Sequence, residues 1–237
     1  MSIFIDNSRS SAQHSESCVP LETLKTGALS VAAFAGFAPF AWREGSEPRG
    51  RDIAFLKRFA DAHALDLAVE FFDFDRLWEL PDQGKVDIAA SGISFLPEKR
   101  KGTASWSAPY SEVRRSLLIR SGDRERFREM RNLARSRLAV VACSAAHDHA
   151  LEMMPDTTSL VYCETLQQGI EDLLRGRVDA VGTGSVSAQH HLASRAGLAA
   201  VDVHDCRKPE YISFAVRSSG PLLETLNTFI ATHAAQY

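Results

Sequence analysis

Residues 91–110 read SGISFLPEKRKGTASWSAPY, an apolar stretch with small hydroxyl residues that runs into Pro97-Glu98-Lys99-Arg100. Two chemistries account for that order. Arg100 is either a clamp for an anion, since a guanidinium offers parallel donors that match two oxygens, or a solvated residue at a helix start. A second group, His147-Asp148-His149, carries side chains suited to general acid–base work near neutral pH. The same letters equally suit an exposed helix start, with an Asp near the positive end of the dipole. His190 and His191 are adjacent, and adjacent residues do not share a helix face, so no metal is expected there. The four cysteines (Cys18, Cys143, Cys163, Cys206) lack metal-ligand spacing and read as reduced thiols, with a Cys143–Cys163 disulfide as the alternative. The pair Arg114-Arg115 reads as solvated surface. No metal or cofactor is expected.

The elements that must position these residues follow an alternating pattern. ALSVAAFAG (28–36) suits a strand buried on both faces, and Pro39 ends it. IAFLKRFADAHAL is a helix with Ile53, Leu56, Phe59, Ala60 and His63 on one face and Asp52 as its cap. LDLAVEFFDF is a strand, DRLWELPDQGK a short helix and VDIAASGIS a strand, which completes β-α-β-α-β. A second unit opens with a basic helix over 124–135. SRLAVVAC, SLVYCE and VDAVGTG are its strands, with helices over AHDHALEMM and TLQQGIEDLLRGR between them. GKVDIAASG (84–92) and GRVDAVGTG (176–184) echo one another: Gly ends a helix, and a strand follows that finishes in small residues. Small residues let a ligand approach the backbone, and ligands of open α/β sheets sit beyond the strand carboxyl ends. Two such lobes face each other across a cleft.

Composition narrows the partners. The 237 residues carry a net charge of −3 and 45% apolar residues, an ordinary globular balance without the basic field that nucleic acid requires. No apolar run approaches the ~18 residues of a membrane span. The opening residues lack a basic start, an apolar core and a small-residue cleavage site, so as written the chain would stay in the cytoplasm.

In their order and spacing FAPFAW, GRDIAFLKRFA, VEFFDFDRLWEL, GKVDIAASGIS, PEKRKGTASWSAPY, LAVVACSA, GIEDLLRGRVDAV and YISFAVRSS resemble the type II periplasmic solute-binding proteins, family 3, the branch that binds polar amino acids. The resemblance implies an α/β, two-lobe fold of open mixed sheets with flanking helices, joined by two hinge crossovers near 113–119 and 207–213. Lobe 1 would be 27–115 with 211–237 and lobe 2 would be 116–210, after a disordered or extended leader over 1–26. It also implies a site. Arg100 (or Lys99) grips a ligand carboxylate, Ser91, Gly92 and Ser94 add contacts from the strand end, and Phe37 and Phe74 sandwich the apolar body. Ser144 stands at a helix start that favours an anion. Amino-acid binders place an Asp where this chain has Gly184, and binders of basic amino acids place a second acid where it has Phe34. A small anionic or zwitterionic solute, a monomer, an ABC permease as partner and a periplasmic setting are what the resemblance implies, with neither nucleic acid nor membrane insertion. Two other functions share the scaffold. One is a ligand sensor; the other is an enzyme of the cyclohexadienyl dehydratase type, whose Glu is replaced here by Ala146, leaving His147 and Asp148 as the catalytic candidates.

Overall fold

The computed structural model describes residues 21–95, 104–128, 130–202, 209–217, 219–233, 235 and 237. Two five-stranded sheets organise them. In the first, Asp66–Phe71, Ala28–Ala33 and Ile88–Ala89 run parallel, and Ala215–Val216 and Ser105–Trp106 extend the sheet antiparallel. In the second, Ser159–Cys163, Arg137–Val141 and Ala180–Gly184 are parallel, and Arg115–Arg120 and Leu198–Asp202 are antiparallel. The central strands are buried on both faces, which is why Leu138 and Val140 sit in an unbroken apolar run and Leu29 and Val31 in one interrupted only by Ser30.

Among the described residues five helices flank the sheets: α1 (Arg51–Ala62), α2 (Ala145–Met153), α3 (Leu166–Leu174), α4 (Ser185–Ser194) and α5 (Pro221–His233). Helix α1 buries Ile53, Phe55, Leu56, Phe59 and Ala60 against the first sheet, the face that its 3.6-residue period predicts. Each large apolar side chain so buried contributes about 1.5–3 kcal/mol. No described helix is long and apolar enough to cross a membrane.

The internal echo has a physical basis. Gly84 and Gly176 both adopt positive φ (65° and 71°), Gly84 at the end of a run of turns and Gly176 just past α3, as the chain turns toward a strand. Three residues on, each repeat carries an Asp that locks the neighbouring strand. Asp87 accepts from the Ser30 N–H (3.0 Å) and hydroxyl (2.6 Å), and its own N–H donates to Ser30 O. Asp179 accepts from the Arg137 N–H (2.9 Å), and its N–H donates to Arg137 O. Arg137, Arg120 and Arg126 surround Asp179, and backbone and side-chain bonds from Arg137 hold its carboxyl below the usual range against the opposing effect of burial.

Two crossings join the sheets. Ser111–Val113 and Glu210–Ile212 pair antiparallel, three strand residues each, so the first crossing lies a few residues earlier than expected. Arg115 already belongs to the second sheet.

Several local expectations are corrected. DRLWELPDQGK yields only a 3₁₀ turn at Leu77–Glu79, and residues 124–135 are not one helix: the 3₁₀ turn described within them is Met130–Leu133, with another, Ser121–Asp123, just before them. The segment on both sides of Pro39 forms a three-stranded hairpin sheet (Gly36–Phe37, Ala41–Glu44, Glu47–Arg49) that the sequence reading lacks. Asp52 does not cap α1; Gly50 occupies that position, and Asp52 reaches across to the neighbouring strand end. Among the described cysteines, Cys143 and Cys163 are unbridged, and burial pushes the Cys163 thiol up to about 11.

Candidate ligand-binding cleft

The carboxyl ends of both sheets face one pocket at the junction of the lobes, with about 460 Å³ of empty space counted out to its open mouth. Phe37, Phe40 and Phe74 form its wall on the first lobe, beside Gly92 and Ser94. The second lobe supplies Arg115, Ser144, Ala145, Ala146, Thr183 and Gly184. Among the described lining residues there is no carboxylate.

Each side chain is held by its element. Gly92 follows the strand at Ile88–Ala89 and turns with φ 61°, its N–H donating to Asp52 Oδ2 at 2.8 Å. Asp52 is fully buried and also accepts from the Ser91 N–H (2.7 Å), the Tyr110 hydroxyl (3.0 Å) and the Tyr237 hydroxyl. Desolvation raises its carboxyl above the usual range, with those four donors pulling the other way. Asp52 therefore fixes the strand end that forms one lip of the pocket.

Ser91 does not line the pocket. Its hydroxyl accepts from the Phe34 N–H (2.7 Å) and donates to Phe34 O (3.3 Å), so it braces the lobe from within. Phe37 and Phe74 both face the pocket, but their rings meet edge to face with centroids 4.8 Å apart. The pair therefore presents one aromatic wall to the pocket, with no slot between its rings for the sandwich expected from the sequence. On the second lobe Ser144 caps α2, its hydroxyl accepting from the His147 N–H at 3.1 Å. The next amides, those of Ala145 and Ala146, belong to the first turn, whose N–H groups have no intrahelical acceptor, and both residues border the pocket. Ser94, Thr183 and Ser187 are buried, line the same space, and have no side-chain hydrogen bond to a described residue.

His147 and Asp148 stand away from the pocket. The His147 ring accepts from the Cys143 N–H (3.2 Å) and meets the Tyr162 hydroxyl (3.3 Å), while Asp148 sits in the first turn of α2. Arg100 and Lys99 lie outside the described residues.

Arg115 overturns the sequence reading. It is 7% exposed, not solvated, and it lines the pocket. Its Nε lies 2.9 Å from Glu210 Oε1, an ion pair that ties one crossing to the other. A signal was present: Arg115 opens the run Arg115-Ser116-Leu117-Leu118-Ile119, every residue of which is buried, as in a strand covered on both faces. Arg114, which precedes that strand, is exposed.

A model of the bacterial extracellular solute-binding proteins, family 3, matches residues 29–236. The chain belongs to this family. Among solved structures of similar shape is an amino acid ABC transporter substrate-binding protein from Streptococcus pneumoniae Canada MDR_19A, bound to L-arginine. It is 26% identical, with a TM-score of 0.81 over 89% of both chains. The ancestral amino acid-binding protein AncCDT-1, described as a precursor of cyclohexadienyl dehydratase, shares the fold with a TM-score of 0.80 at 23% identity. That likeness covers 88% of this chain and 90% of the other. The membrane-bound lytic murein transglycosylase F of Idiomarina loihiensis is 26% identical over 144 residues, 59% of this chain. This family member spans only 31% of the length of that curated relative.

Proposed function

We propose that the chain is a solute-binding protein whose two lobes close on a small carboxylate-bearing polar solute. One observation carries this reading: a buried arginine, helix-start amides and buried hydroxyls converge on an inter-lobe pocket with an aromatic wall. Such donors suit a carboxylate, and aromatic faces add apolar contact without demanding a polar partner. Transport through an ABC permease is the role that the arginine-bound neighbour suggests.

A thermal-shift titration of the purified chain tests the reading, with C3–C6 carboxylates and α-amino acids as probes. Binding at about 100 times Kd adds about 2.7 kcal/mol, or roughly 5–10 °C for a chain of this size. No rise with any carboxylate overturns the proposal.

The likeness to the transglycosylase favours a second reading, a ligand-sensing module of a longer protein. It uses the same cleft and differs in the response to closure. Catalysis at His147 or Asp148 has no support from the geometry, because neither borders the pocket.

A further inference from the structure

Two helices begin at the same pocket. The strands Arg137–Val141 and Ala180–Gly184 are directly paired and parallel, and they lead into α2 and α4 at one edge of the second sheet. Ala145 and Ala146 from the start of α2 border the pocket, as do Gly184 and Ser187 from the start of α4. The α4 start has no side-chain cap, because Gly184 holds the N-cap position in an extended conformation and has no side chain to offer. Its first amide is spent: the Ser185 N–H donates to Arg114 O at 2.8 Å. The amides of Val186 and Ser187 come next, and the helix supplies an acceptor for neither.

Side chains at the same place point to a ligand. Ser187 and Thr183 are only 4% and 6% exposed, line the pocket, and make no side-chain hydrogen bond to a described residue. A hydroxyl taken from water without a partner is costly, so two of them beside uncapped helix amides mark a place where an acceptor belongs. Arg115 does not supply that acceptor. Its guanidinium is a donor like the others, and it is already paired with Glu210 at 2.9 Å.

The spacing fits one oxyanion. Neighbouring strands lie about 4.8 Å apart, and hydrogen bonds of about 2.9 Å from either side cover that span through a single acceptor group. Both helices aim the positive ends of their dipoles at it, which favours an anion and disfavours a free ammonium.

We infer that the amino ends of α2 and α4, with the Thr183 and Ser187 hydroxyls, form one cradle of neutral donors that binds the solute carboxylate. The inference rests on the solute-binding reading and deepens it. Thr183 and Ser187 are binding residues, whereas the Arg115–Glu210 pair serves the crossings. The rest of the solute extends toward the wall of Phe37, Phe40 and Phe74.

Calorimetric titration with three acid–amide pairs tests it: butyrate and butyramide, glutarate and glutaramide, L-valine and L-valinamide. Each pair exchanges carboxylate for amide at nearly constant shape. The wild type should bind the acid of at least one pair about 10-fold or more tightly than its amide, the scale of a charge-assisted contact. Thr183→Val and Ser187→Ala should each weaken that acid by about 10-fold, while its amide moves less than about 3-fold. The Arg115→Gln/Glu210→Gln double variant, with its fold checked by circular dichroism, should keep the preference for the acid. Acid affinity unchanged in both Thr183→Val and Ser187→Ala overturns the inference and leaves solute binding standing. Loss of the acid preference in the folded double variant does the same, and so does an amide bound as tightly as its acid in every pair. No heat from any of the six probes also overturns the inference. If no carboxylate gives a thermal shift either, the solute-binding reading itself falls.

Discussion

Gly92 stands at φ 61°, and a Cβ there would lie 2.6 Å from the Phe40 ring. Gly92→Ala combines left-handed backbone strain with overpacking against a wall of the pocket. It should lower stability by about 2–4 kcal/mol, read as a lower urea midpoint at unchanged slope. His191 makes a second prediction. It is buried on α4, and desolvation, followed by the charges of His190 and Arg195, lowers its pKa from 6.5 to about 4. The fold holds it neutral while the unfolded chain protonates it near 6.5. Its contribution is therefore fully present above pH 6.5 and is lost as pH falls toward about 4, by up to about 3 kcal/mol. His191→Leu should flatten the stability–pH slope in that window; an unchanged slope between wild type and variant would show that His191 titrates as it does in the unfolded chain.

At the scale of elements, the clip between α1 and the Ser91–Gly92 strand end is the most testable unit. Asp52 gathers two backbone amides and two tyrosine hydroxyls from three parts of the chain. Asp52→Asn keeps the shape but turns one acceptor into a donor facing donors, which should cost about 1–3 kcal/mol. Hydrogen exchange should show the Ser91 and Gly92 amides losing protection ahead of the second sheet. Equal loss across both sheets would count against the clip. The sequence placed Asp52 at a helix start but not its partners, which lie 39 or more residues away. The 3₁₀ turns at Leu77–Glu79 and Met130–Leu133 were likewise misread as helix. Propensity and charge pattern permit a helix in both places, and packing cut each one short.

At the scale of the molecule, the lobes touch on one side of the cleft. A Cβ at Gly36 would lie 3.0 Å from Thr165 Cβ, and the Trp42 ring lies 6.2 Å from that of His190. Phe34 and Phe74 of one lobe share a buried cluster with Cys163 and Leu166 of the other. If the proposed solute binding works by hinge closure, these contacts are the ones that would part on opening. Solute addition should therefore change tryptophan emission, and Trp42→Phe should remove most of that change while calorimetric binding persists. A full signal in Trp42→Phe would place the reporter at Trp78 or Trp106 instead.

The amino-acid sequence by itself determined the two alternating α/β units, the repeated Gly-basic-Val-Asp turn and the family. Those features rest on local periodicity and on turn chemistry written in adjacent residues. It also marked Phe37, Phe74, Gly92, Ser94, Ser144 and Gly184, all of which border the pocket. Only the tertiary structure decided that Ser91 is spent on Phe34 and that Arg115 turns inward beside Gly184 to meet Glu210. A charged pair in sequence is solvated surface by default, because burying an ion is costly. What reverses the default here is Glu210, 95 residues away and brought alongside by the second crossing.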